Sequence, residues 1–93
     1  MRYNIKPTKK FQKDLKRIKK RGYDISQLTE VVKKLADGEK LPAKNKDHAL
    51  SGNYAGKREC HIAPDWLLIY EKYDNFLILI LSETGTHADL FKM

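Results

Sequence analysis

The sequence predicts an α+β fold: an N-terminal strand, an antiparallel helix hairpin, then a three-stranded antiparallel meander. Three observations carry this. Apolar residues recur at spacings of three and four between residues 8 and 36, the period of a helix. From residue 56 onward the pattern changes to alternation and short apolar runs bounded by turn residues, which reads as strands. The length of 93 residues fits one compact domain, 1–93, with a modest core.

The first element is "RYNIK", Arg2 to Lys6, where Tyr3 and Ile5 share one face and Pro7 ends the strand. Phe11, Leu15 and Ile18 then form a narrow apolar stripe, giving an amphipathic helix from Thr8 to Arg21 with Gly22 placed to stop it. Asp24 precedes Ile25, Leu28, Val31, Val32 and Leu35, and with Gln27 it resembles a capping box for a second helix, Ile25 to Ala36. Residues 37–55 show no period. Such a long connection in a small domain is often functional, and Leu41, Pro42 and Leu50 are placed to pin it down. In "GKRECHI", Lys57, Glu59 and His61 share one face, and Arg58, Cys60 and Ile62 the other. "APDW" is a turn, and "WLLIYEKY" and "FLILIL" are two further strands joined by a tight turn at Asp74-Asn75. The helices must cover one face of the sheet, because their stripe has no other partner.

Charge is divided unevenly along the chain. The net charge is +7, but residues 1–46 hold 15 of the 19 Lys/Arg and only five of the 12 acids. A basic N-terminal half favours a polyanion or an acidic protein. All three histidines, His48, His61 and His87, lie in the other half. The single cysteine excludes an internal disulfide, and no apolar run approaches the roughly 20 residues of a membrane span. A cytoplasmic protein is expected, and no cofactor is called for. Three histidines could ligate a metal, but no metal-ligand spacing motif is present, and Cys60 points inward with Ile62.

Each candidate also has an ordinary structural explanation. His61 could be a half-buried strand histidine, Asp65 a turn residue, Trp66 core, and His48 an exposed loop residue. Phe91 either anchors the tail or offers a face for base stacking. Taken together, a basic half, several imidazoles and an aromatic suit metal-free RNA cleavage. One group would take the 2′-OH proton, another would protonate the leaving 5′ oxygen, and cations would stabilise the phosphorane.

Three ordered segments, "KDHAL-x-G", "RECHIAPDWLLIY" and "TGTHADLF", resemble the YafQ branch of the RelE/ParE toxin superfamily across essentially the whole chain. The resemblance implies a RelE-like fold and a bacterial type II toxin that cleaves mRNA in the ribosomal A site. It implies a cognate DinJ/RelB-type antitoxin in a heterotetramer, contacts to 16S rRNA of the 70S ribosome, and operator DNA bound through the antitoxin. It assigns His48, His61, Asp65 and His87 to acid–base and phosphate chemistry, with His87 as general acid and Asp65 and His61 near the 2′-OH. Trp66 would shape the site and Phe91 would position mRNA. The family usually carries an arginine four residues before the last histidine, where this chain has Glu83. Arg58, and secondarily Lys57, are then expected to supply the missing cation, or activity is reduced. The alternatives are a non-catalytic toxin of the ParE type and an RNA-binding module without cleavage.

Overall fold

A computed structural model describes residues 2–91. In chain order the elements are β1 (Asn4–Pro7), α1 (Lys9–Lys20), α2 (Ile25–Ala36), β2 (His48–Ala49), β3 (Arg58–Ala63), β4 (Trp66–Tyr73), β5 (Ile78–Gly85) and α3 (His87–Phe91), with 3₁₀ turns at Ala43–Asn45 and Gly52–Tyr54. The strands form one sheet in the order β1-β5-β4-β3-β2. β3, β4 and β5 make the expected antiparallel meander. β1 runs parallel to β5, placing Asn4 beside Ile78.

Both long helices start where a side chain caps them. Thr8 Oγ1 accepts the Phe11 N–H, and the same hydroxyl donates to the Ser82 carbonyl, tying the start of α1 to β5. Asp24 caps α2, but through the Ser26 N–H and hydroxyl rather than in a box with Gln27. One face of the sheet is covered by both helices, as their apolar stripes require. Phe11, Ile18, Leu28, Val31 and Leu35 pack with Cys60, Leu68, Tyr70, Leu79 and Leu81. The opposite face carries a smaller core of Leu67, Ile69 and Leu90, shielded by Leu50, Tyr54 and Phe91. That second core is what docks α3 and the 50–54 segment.

Two expectations need correcting. The final strand does not span "FLILIL". Phe76 is 74% exposed and Leu77 sits at φ 51, so both belong to the turn, and the strand continues instead through Ser82–Gly85. Hydropathy misleads here because Thr84 is fully buried while Phe76 is not. The 37–55 connection is also not structureless: it contains β2 and both 3₁₀ turns.

A buried carboxylate holds α1 to β5. Asp14, 2% exposed, accepts the Thr84 N–H and pairs with Lys10 and Arg17. Burial of this carboxyl group is tolerable because both of its oxygens accept, Oδ1 from Lys10 and Arg17 and Oδ2 from the Thr84 N–H. The result fixes the end of β5, the strand that leads into His87.

Candidate active site

The three histidines reach one patch from three segments. His48 enters from β2, His61 from β3 and His87 from the first position of α3. Pairing of β2 with β3 sets His48 opposite Glu59, and Glu59 shares a strand face with His61 because side chains alternate. Glu59 is 6% exposed, and its Oε1 lies 3.6 Å from Nε2 of both His48 and His61. These separations exceed a hydrogen bond, so Glu59 stands between the two rings without being bonded to either at these distances. The His61 ring stands edge-on to that of His87, with centroids 5.7 Å apart. A register shift between His61 and Ala63 marks a bulge at the end of β3, a device that re-aims side chains near functional sites.

His87 is held from two directions by Asp65. The Asp65 Oδ1 accepts the His87 backbone N–H at 3.0 Å and lies 2.6 Å from Nδ1. An ionised carboxylate can only accept, so Nδ1 carries a proton and Nε2 is left to face a substrate. His48 is oriented similarly, with Nδ1 2.6 Å from the Lys46 carbonyl. α3 itself begins with a reciprocal cap. The Asp89 carboxylate accepts the Thr86 N–H, and the Thr86 hydroxyl accepts the Asp89 N–H. Arg21, at the end of α1, then grips Asp89 with two bonds, of 2.6 and 3.0 Å. Gly85 permits this close approach: a Cβ there would sit 2.9 Å from the Asp89 Cβ.

Two carboxyls are thereby acidified. The His87 backbone N–H, and then its ring, hold Asp65 below its ordinary 3.8. The Arg21 guanidinium, assisted by Thr86, holds Asp89 well below the usual carboxylate range. A depressed folded-state pKa stabilises above the unfolded value and is lost as pH falls through the folded one. We therefore expect α3 docking to be intact down to about pH 4 and to loosen below it. Amide-exchange protection of His87 and Leu90, measured from pH 7 to 2, checks this. Protection that fades at pH 5–6 would exclude these carboxylates as the anchor.

A family model described as "Bacterial toxin of type II toxin-antitoxin system, YafQ" matches residues 3–92. The chain belongs to the YafQ family. It is 39% identical to the mRNA interferase toxin YafQ of Escherichia coli strain K12, over 95% of each chain. The crystal structure of YafQ from E. coli strain BL21(DE3) superposes with a TM-score of 0.90 at 38% identity, covering 96% of this chain and 98% of that one. The toxin in an E. coli DinJ–YafQ complex gives 0.88 at 39% identity, with 96% and 98% covered. The RelE/ParE placement and the α+β fold read from the sequence agree with these YafQ relatives.

Not every candidate residue of this YafQ chain comes to the histidine patch. His48, His61, Asp65 and His87 do. Arg58 does not: it projects from the helix-covered face, where its Nε donates to Asp47 and to the Tyr70 hydroxyl, both at 3.3 Å. Alternation along β3 forces this, since Arg58 is out of phase with His61. Lys57 is on the correct face, but its ammonium is bound to Glu71 at 3.2 Å. Trp66 is 2% exposed and lies in the helix-side core, edge-on to Tyr23, with Nε1 donating to Thr84. Phe91 packs edge-on to Tyr54, centroids 5.4 Å apart, and anchors α3. Glu83 lies 3.8 Å from Lys10 and beside the Tyr54 hydroxyl, whose pKa burial raises first and Glu83 raises further.

Glu59 was missed. Its signal was present, two residues before His61 on one strand face, but its link to His48 depends on β2, which hydropathy does not reveal. Cys60 is confirmed as inward-facing, its thiol pushed up to about 12 by burial. No helix among the described residues is long and apolar enough to cross a membrane.

Proposed function

We propose that this chain is a ribosome-dependent mRNA endoribonuclease, acting in the cytoplasm on the codon in the A site. The observation that carries the reading is the continuous line His48–Glu59–His61–His87–Asp65 on one sheet end, assembled from segments far apart in sequence. The mRNA interferase name of the E. coli relative gives the reaction class.

The chemistry needs no metal ion. His61 takes the proton of the 2′-OH, with Glu59 stabilising the imidazolium that forms. The O2′–P bond forms, the P–O5′ bond breaks, and His87 delivers a proton from Nε2 to the leaving 5′ oxygen. The products are a 2′,3′-cyclic phosphate and a 5′-OH. Asp65 acts through His87, fixing its ring and tautomer as a partner acid does in other triads, rather than touching the 2′-OH. His48, sharing Glu59, borders the phosphate. The surplus of lysines on α1 and α2 would grip 16S rRNA phosphates and lose that grip steeply with salt.

Inhibition would come from a DinJ-like antitoxin, since the related toxin is found in a DinJ–YafQ complex. The complex is expected to be a heterotetramer that reaches operator DNA through the antitoxin. The test is inducible expression with and without the neighbouring antitoxin gene, followed by mapping of mRNA 5′ ends. New 5′-OH ends within ribosome-bound codons are expected only without antitoxin. Arrested translation with unchanged mRNA ends would point to binding alone, and impaired gyrase supercoiling to a toxin of the ParE type.

A further inference from the structure

The cation that the family arginine would supply is missing at Glu83, and most basic groups around the histidines are already neutralised. Arg58 is taken by Asp47, Lys57 by Glu71, Arg21 by Asp89, and Lys10 and Arg17 by Asp14. The 43–46 turn is different. Lys44 and Lys46 are exposed, and neither makes an ion pair among the described residues. Both line a cavity of about 330 Å³ whose wall also includes His61. Among the described residues, no carboxylate lines that cavity.

The turn is built to stay beside the site. β2 is only two residues long, so β3 would have an open edge beyond Glu59. Asn45, buried, fills that place by donating its side-chain N–H to the His61 carbonyl at 2.7 Å. Lys46 adopts a left-handed conformation, φ 47 and ψ 44, which directs its carbonyl to His48 Nδ1. Glycine or asparagine would take that conformation more easily; a residue with a Cβ costs roughly 1 kcal/mol there. A lysine at a strained position beside His48 and His61 suggests that its ammonium has a task.

We propose that Lys46, with Lys44 beside it, is the phosphate clamp of this chain. Lys46 would neutralise the scissile phosphate as negative charge builds on it, in place of the family arginine, and Lys44 would hold the adjoining phosphate of the single-stranded RNA along the groove. The groove continues past Lys44 and Ile62 towards Lys34 and Glu30 of α2. These two form a long pair of 3.9 Å, so that far end is charge-balanced and the pull is concentrated near His61. The inference rests on the ribonuclease reading for its catalytic part.

Two measurements test it. On programmed ribosomes, Lys46→Gln should lower the single-turnover cleavage rate about 10²- to 10³-fold, as loss of one charge-stabilising donor does. Lys46→Arg should retain most of the rate, because it keeps the positive charge, whereas Lys46→Gln has the same backbone strain and lacks the charge. Adding Glu83→Arg to Lys46→Gln should recover much of the loss. Rates within about twofold of wild type for Lys46→Gln, or equal losses for Gln and Arg, would overturn the clamp. The second measurement does not need cleavage: the free protein binds a fluorescein-labelled 2′-O-methyl RNA oligonucleotide at increasing salt. The double variant Lys44→Gln/Lys46→Gln should flatten the slope of log K against log salt by about 1.4, two phosphates at about 0.7 each. An unchanged slope overturns the groove. A flattened slope in a protein that never cuts mRNA would uphold the groove while the nuclease reading fails.

Discussion

On the proposed ribonuclease reading, replacing His87 with alanine is expected to lower cleavage of ribosome-bound mRNA by about 10²- to 10⁴-fold, the range a positioned general acid or base contributes, and to leave the fold intact. Two features justify the large effect. Asp65 fixes Nδ1, so Nε2 is the atom presented to the leaving oxygen. The adjacent His61 ring, at a centroid distance of 5.7 Å, is assigned the base role in the same proposal and would have to give it up to replace His87. The small structural effect follows from exposure: the ring is 40% exposed and its close side-chain partner is the exposed Asp65. α3 keeps its cap, its bond to Arg21 and the buried Leu90 without it. Single-turnover rates with unchanged thermal midpoints are the readout. Equal rates for the variant and wild type would remove His87 from the chemistry.

Trp66→Ala is expected to act in the opposite way, costing about 3–5 kcal/mol of stability and abolishing activity only by unfolding. Total stability in a domain of this size is about 5–15 kcal/mol, so the loss is severe. Trp66 is buried under Tyr23 of the inter-helix connection and bonded to Thr84, whose hydroxyl donates to the Leu67 carbonyl. Removing the indole opens a cavity where helix, β4 and β5 meet. Trp66→Phe keeps most of the contact area and loses one hydrogen bond, a cost of about 1 kcal/mol. Urea unfolding should rank wild type, Phe and Ala in that order, with the folded Phe variant cutting mRNA near the normal rate. A Trp66→Ala protein that unfolds at the wild-type urea concentration yet fails to cut would return this residue to the substrate site.

These two residues show what could be read in advance. Helix periods, the alternation around His61 and the turn before Trp66 gave the elements within a residue or two at most boundaries. The motifs imply that the histidines converge, and the three rings do lie together around Glu59 and Asp65. What was not legible depended on long-range register. Alternation along β3 already sets Arg58 on the face opposite His61, and the expectation that Arg58 supplies the cation came from the matched motif rather than from that alternation; the structure pairs it with Asp47 and Tyr70 instead. Trp66 stood beside Asp65 in the chain but went to the other side of the sheet. Phe76 and Thr84 exchanged their expected environments because a strand's limits are set by pairing partners as well as by hydropathy. Glu59 and Lys46 became meaningful only once β2 and the 43–46 turn were located.

The parallel pairing of β1 with β5 has a consequence for how the molecule comes into being. Asn4 must wait for Ile78, and Thr8 for Ser82, a separation of 74 residues. Contacts this distant are made late, because the entropy of closing the loop is spent before any pairing rewards it. While the chain is still being synthesised, the edge that α1 must lean on does not exist, and His87 has not yet been joined to it. On the nascent chain the sheet is therefore unfinished, and the histidine patch can close only after β5 and His87 have been added.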